Sequence, residues 1–388
     1  MKRGLQGRLV KRSTASEPFE AFIPAPLPPR PAVAFDAHLQ RQLGVADRAL
    51  GQLDGVGALL PDPSLLLYFY VRKEALLSSQ IEGTQSSISD LLLFESAEVP
   101  GVPLEDVREV SNYVAALMHG IELLRAGLPV SLRLIRELHR VLLSKGRGSQ
   151  ADPGEFRRSQ NWVGGTRPGN ALYVPPPPEE LLPCLDALER YLHGSPEPAP
   201  PLVKAALAHV QVETIHPFLD GNGRVGRLLI TLLLIAEGAI QQPLLYLSLY
   251  FKQHRQTYYE LLQRVRLEGE WEAWLRFFLD GVVETAENAT EAARRILERF
   301  RADAVKVQQL GRARASANRL FELLQRKPLV TLQAARRELG VTLPTASSAM
   351  NHLVEIGVVR EVTGKQRNRV FAYQDYLNIL SEGTEPLR

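Results

Sequence analysis

Only one cysteine, Cys184, occurs in 388 residues. No internal disulfide can form, which points to a fold held by its core and to a reducing, cytoplasmic setting. Long apolar runs are also missing, and none reaches the ~18 residues that a membrane-spanning helix needs. The basic opening stretch "MKRGLQGRLVKRSTASEPF" has no apolar core of signal-peptide length. Neither sign of charge dominates, since the net charge is +3. The whole molecule is therefore not a polycation built for nucleic acid or membrane. Two nucleotide-binding signatures are absent as well. There is no GxxxxGK[ST], and no GxGxxG between a strand and a helix.

What the chain does have is mainly helix. Helical periodicity runs through Asp36–Leu124, Ser131–Ser144, Glu179–Tyr191, Leu202–Ile215 and Gln256–Phe300. Met1–Ala25 reads as loosely structured. Phe22–Pro31 reads as extended, because closely spaced prolines block helix. The stretch 157–178 holds Gly164–Gly165, Trp162, Tyr173 and four successive prolines. It predicts a loop or short hairpin between helices. From Arg312 to Val370 there are eleven Lys/Arg against four Glu, a local charge of +7. There a helix-turn-helix pattern bends at Gly340 and precedes two short strands. The expected division is an N-terminal helical region 1–110, a helical core 111–285, a linker helix 286–311 and a winged-helix domain 312–378.

The chemistry concentrates in "TIHPFLDGNGRVGRLLI", Thr214–Ile230. The following "LLITLLLIAEG" is apolar nearly all round and predicts a buried helix. Its N-terminus then falls near Gly223–Arg224. A helix N-terminus offers unpaired N–H groups and a positive dipole end, which suit an anion. Gly221 and Gly223 let a phosphate approach the backbone. Arg224 and Arg227, three apart, can clamp its oxygens. Asp220 is a hard carboxylate suited to Mg²⁺. His216, with a usual pKa of ~6.5, is a suitable general base. A rival reading takes His209, Glu213 and His216 as metal ligands on one helix face. That reading leaves the glycines and arginines unexplained.

"HPFLDGNGRVGR", His216–Arg227, resembles the HPFx(D/E)GNGRxxR signature of the Fic (filamentation induced by cAMP) family at every defined position. "FIPAPLPPRP", "KEALLSSQIEGT", "PGEFRRSQNWVGG", "YVPPPP" and "VRLEGEWEAWLRFFL" extend the resemblance over roughly residues 20–285. It implies a helical core with a short β-hairpin flap. It also implies AMP transfer from ATP–Mg²⁺ to a Ser, Thr or Tyr hydroxyl of a target protein. His216 would then take the proton, and Asp220 would hold Mg²⁺. Gly221, Asn222 and Gly223 would form the anion hole. Arg224 would contact the phosphates, and Arg227 would hold the γ-phosphate. The target would pair with the flap at 157–178. "SSQIEG" is similar to the family's (S/T)xxxE(G/N) inhibitory motif, here Ser78, Glu82 and Gly83. Glu82 would pair with Arg227 and block the γ-phosphate. The same glutamate can position water, so a bifunctional or mainly de-AMPylating enzyme is the alternative. Self-modification and a homodimer follow from the resemblance. "YLSLYFKQHRQTYYE", Tyr246–Glu260, is a candidate adenine wall.

The C-terminal module leaves two readings open, DNA binding through 312–370 or protein docking. Its expected recognition helix, Pro344–Ile356, contains no Lys or Arg. Lys365, Arg367 and Arg369 fall in the wing, which suits phosphate contact better than base reading. A non-enzymatic alternative is a nucleotide-sensing winged-helix transcription regulator.

Overall fold

The computed structural model describes residues 3–13, 17–58, 64–95, 104–365 and 369–386. An antiparallel hairpin opens the chain, β1 (Gly7–Ser13) with β2 (Pro18–Pro24), pairing Gly7 with Pro24. This corrects the loosely structured reading of Met1–Ala25. β1 is largely exposed and carries no strong alternation, so the sequence hides it. β2 is buried from Ala21 onward, where it meets the core helices. The long helical segment becomes α1 (Ala37–Ala58), α2 (Ser64–Ile81), α3 (Ile88–Glu95) and α4 (Leu104–Arg125). Next come α5 (Leu132–Leu142), α6 (Pro178–Leu192), α7 (Pro201–Ile215) and α8 (Asn222–Ala236). The short α9 (Ser248–Gln253) and α10 (Arg255–Glu268) lead to α11 (Trp271–Gln308). The C-terminal elements are α12 (Arg314–Arg326), β3 (Leu329–Thr331), α13 (Leu332–Leu339), α14 (Leu343–Glu355), β4 (Arg360–Glu361), β5 (Val370–Ala372) and α15 (Gln374–Ser381).

Local chemistry sets many of these ends. Ser131 caps α5 by accepting from Leu134 N. Proline stands in the first turn of α6 and of α7, where its missing N–H does no harm. Gly269 stops α10 in the left-handed region at φ +69°. Thr331 and Gly340 bracket α13 in the same way.

The core centres on α7 packed against α8. Every residue from Leu202 to Ile215 is buried, the polar Lys204, His209, Gln211 and Glu213 included. α2 touches α4, α8, α9, α12 and α15. It is buried at every position from Lys73 to Ile81. The helix that carries Ser78 of the expected inhibitory motif is thus a core element rather than an appendage.

The expected boundaries at 110, 285 and 378 fall inside α4, α11 and α15 rather than between elements. α11 is one helix of 38 residues with no breaker at 285. It is not a bare linker, because Ala286, Ala289, Ala293, Ile296 and Phe300 are buried.

The C-terminal strands form one antiparallel sheet in the order β3–β5–β4. Arg367 lies outside the described residues. α15 then turns back onto the core. Tyr376 meets Phe69 of α2 edge to face, with centroids 5.1 Å apart. Gln80 Nε2 donates to Thr384 O at 2.8 Å. At the junction, the fully buried Asp303 accepts from Tyr373 Oη at 2.7 Å, Arg299 Nε at 2.7 Å and Lys306 Nζ at 2.6 Å. Asp303→Ala strands the buried phenol but leaves Arg299 and Lys306 free to reach water. We expect a loss of about 2 kcal/mol, read as a lower urea midpoint for loss of helical signal.

Candidate active site

The site is a loop between two buried helices. α7 ends at Ile215, and His216 takes left-handed angles, φ 51° and ψ 60°. The chain turns through Pro217–Asp220, and Gly221 at φ +76° starts α8. A non-glycine residue in that region is strained, so tertiary contacts must hold it. Asn222 supplies one such contact: its Oδ1 accepts from Phe218 N and its Nδ2 donates to Phe218 O, both at 2.8 Å. The Asn222 side chain is therefore committed to the loop, and only its backbone stands at the anion-binding end of α8. Phe218 is fully buried and stacks on His139, with centroids 3.7 Å apart.

Three further residues hold the loop, and the sequence analysis did not single them out. Gly154 N donates to His139 Nδ1 at 2.8 Å, so Nε2 carries the proton and donates to Asp220 O at 3.1 Å. Burial pushes the pKa of His139 down to about 4, which keeps this tautomer neutral. Arg157 Nε donates to His216 O at 2.9 Å, and its Nη2 reaches Pro176 O. Asn161 Nδ2 donates to Phe218 O at 2.9 Å. The base of the expected flap thus grips the His216–Asp220 loop through its main chain. The flap itself closes by a single antiparallel bridge, Val163 to Tyr173. Gly165, at φ +71°, faces Asn170 O so closely that a Cβ would clash.

The polar side chains gather where the sequence placed them. His216, Asp220, Gly221, Asn222, Gly223 and Arg224 line one pocket of about 130 Å³ with Glu82. That volume suits a phosphate group and falls short of the ~300 Å³ at which small-molecule sites begin. Asp220 accepts from Gly221 N at 2.6 Å, and its side chain is 42% exposed. Arg224 meets Glu109 of α4 at 2.8 Å, with both side chains 4% exposed. Arg147 also lines the pocket. Neither Glu109 nor Arg147 has a local motif that could flag it.

Arg227 is buried and engaged by Ser78 of α2 and by Glu82 just beyond it. Its Nε donates to Ser78 Oγ at 2.8 Å, and its Nη2 donates to Ser78 O at 3.1 Å and Glu82 Oε1 at 2.6 Å. Gly83, at φ +104°, follows directly after Glu82. Glu82 Oε1 lies only 2.5 Å from where a Gly223 Cβ would stand. The carboxylate therefore sits on the first turn of α8, where an anion belongs. Burial pushes the Glu82 carboxyl up, but Arg227 outweighs it and holds the carboxyl below the usual range. Glu82 is ionised throughout the neutral range.

The rival metal reading does not survive this geometry. His209 Nε2 bonds Tyr258 Oη at 2.8 Å inside an aromatic cluster, and His216 has left the helix axis. No three His, Cys, Asp or Glu side chains converge as metal ligands among the described residues.

Fold and site together define a mainly helical protein in which a carboxylate covers a helix N-terminus suited to an anion. The family description "Fic/DOC family N-terminal" matches residues 40–122, and "Fic/DOC family" matches residues 129–234. The chain is similar to the protein adenylyltransferase Fic of Aedes aegypti, at 34% identity over 53% of this chain and 39% of that one. It is also similar to the Drosophila ananassae protein of the same name, at 32% identity with the same coverage. The chain thus spans about two fifths of the length of these curated relatives. A Fic family protein of Desulfovibrio desulfuricans shares the fold, with TM-score 0.56 and 18% identity over 88% of this chain and 97% of that one. The chain carries a Fic/DOC family N-terminal region and a Fic/DOC family domain.

His216 Nδ1 is buried and makes no hydrogen bond to any described residue. Burial first, then Arg266 and Arg157, push its pKa down to about 4. The imidazole is thus neutral at pH 7 and charges only as pH falls through that value. NMR titration of His216 should show no protonation down to about pH 5, whereas a midpoint near the usual ~6.5 would contradict this.

Proposed function

We propose that this chain is a protein adenylyltransferase that Glu82 holds in a low-activity state. The observation that carries the reading is the Glu82 carboxylate, bound to Arg227 and lying on Gly223 at the α8 N-terminus. That position has the chemistry of a terminal phosphate site: a buried guanidinium, a helix N-terminus and no side chain in the way. A bound ATP and the carboxylate would compete for it.

In the open form, Arg227 would hold the γ-phosphate, and Arg224 with the Gly221–Gly223 backbone would receive the others. The target hydroxyl oxygen bonds to the α-phosphorus and its proton passes to His216. The bond to the β-phosphate oxygen breaks, and pyrophosphate leaves. Asp220 fits Mg²⁺, since its carboxylate is partly exposed beside the phosphate site and Mg²⁺ takes one or two carboxylates plus phosphates. When bound, Mg²⁺ would neutralise phosphate charge. The target segment would lie along the flap at 157–178. The setting we propose is cytoplasmic, in keeping with a single free and buried cysteine.

Incubation with α-³²P-ATP, Mg²⁺ and host lysate tests the reading. Glu82→Gly should raise protein labelling about tenfold or more, the effect of ~1.4 kcal/mol or greater. Adding His216→Ala should abolish it. Label on the chain itself would show self-modification. Equal labelling by wild type and Glu82→Gly would remove the inhibitory role. Loss of AMP from pre-labelled target by wild type, but not by Glu82→Gly, would support the de-AMPylating alternative.

For the C-terminal module we propose a winged helix that contacts nucleic-acid phosphates rather than base edges. Supporting this, Arg336 and Arg337 are exposed on α13 and Lys365 in the β4–β5 turn, while α14 exposes Ser348 and Asn351 and holds no Lys or Arg. Fluorescence anisotropy with duplexes of unrelated sequence should show similar affinities that fall steeply between about 50 and 200 mM salt. No binding at the lower salt would leave protein docking as the reading.

A further inference from the structure

We propose that Glu109 is the positioning residue for Arg224, fixing its guanidinium in the phosphate pocket without using up the N–H groups that an anion needs. This rests on the AMP-transfer reading above. The two arginines of the motif are held in contrasting ways. Arg227 spends Nε and Nη2 on Ser78 and Glu82. Arg224 is equally buried, and its Nη1 stands 2.8 Å from Glu109 Oε1. Yet its Nε and Nη1 make no hydrogen bond to any described residue. The carboxylate therefore lies off the N–H axes and supplies charge compensation with little hydrogen bonding.

Such an arrangement is not what stability alone selects. A buried N–H without an acceptor costs roughly 1–3 kcal/mol. An arginine whose only task was packing would turn to satisfy its donors. Unsatisfied donors lining a pocket with the α8 N-terminus are instead disposed to receive phosphate oxygens. Glu109 has a second effect. Asp220 Oδ1 is 3.5 Å from Arg224 Nη2, one turn away on the same chain segment. Without Glu109, the guanidinium can close on Asp220 and occupy the carboxylate proposed for Mg²⁺. Glu109 sits on α4, outside the motif, so the pocket is complete only when α4 packs beside α8.

The test is a double-mutant cycle in the full chain carrying Glu82→Gly. Glu109→Gln preserves size and removes the charge; Glu109→Ala removes the group. Both should lower kcat for AMP incorporation about tenfold or more. The KM for ATP should not rise, because a negative charge has left an anion site. In an Arg224→Ala background, Glu109→Gln should have no further effect. The same cycle read by equilibrium ATP binding needs no turnover: Glu109→Gln should alter affinity only when Arg224 is present. An unchanged kcat in both variants overturns the proposal. So does an equal effect of Glu109→Gln on ATP affinity with and without Arg224. If the Glu82→Gly parent binds ATP but transfers no AMP, the functional reading fails while the binding cycle still decides the role of Glu109. A chain that binds no ATP overturns both.

Discussion

A buried positive charge organises this molecule. Arg227 sits in α8 with only 2% of its side chain exposed. A guanidinium in the core must find partners, because desolvating it unpaired is prohibitive. Its partners come from the end of α2 and the residue just past it, through the Ser78 hydroxyl, the Ser78 carbonyl and the Glu82 carboxylate. That requirement fixes α2 against α8. Because α2 also touches α9, α12 and α15, the ion pair at the pocket is continuous with the packing of the whole chain. Opening the pocket at Glu82 need not unfold α2. Glu82 lies just beyond the end of the helix, Gly83 follows it, and Ser78 can keep two of the three bonds.

The loop between α7 and α8 is the second constraint. A strained His216 and a left-handed Gly221 place the imidazole on the pocket wall. Local preference would not keep that shape. Asn222, His139, Arg157 and Asn161 hold it through main-chain atoms, so the loop is pre-organised before any ligand arrives. The flap base supplies two of these four. A change in the flap is therefore also a change in the support of His216. The first turn of α8 has the same economy: Gly223 leaves room for an anion, and Glu82 occupies that room.

Much of the helical order was legible because apolar periodicity and caps are local signals. The segments that became α5, α6, α7 and α8 are each bounded by a proline, a serine cap or a glycine in sequence. The β1–β2 hairpin was not legible, since its strands are short and one faces solvent. Domain limits at 110, 285 and 378 were not legible either. At those positions α4, α11 and α15 continue through.

The site divides in the same way. His216, Asp220, Gly221, Gly223, Arg224 and Arg227 lie within twelve residues. A turn and one helix suffice to bring them together, so the sequence alone determined that cluster and its chemical character. The pairing of Glu82 with Arg227 could be expected only because "SSQIEG" carries a recognisable motif. Glu109 and His139 carry none, and Arg157 and Asn161, though within "PGEFRRSQNWVGG", carry no local sign of their role. Each is an ordinary polar residue whose role exists only where α4, α5 and the flap meet α7 and α8. Tertiary structure decided those roles, because contacts between distant segments depend on how apolar faces pack and leave no periodic trace in the chain.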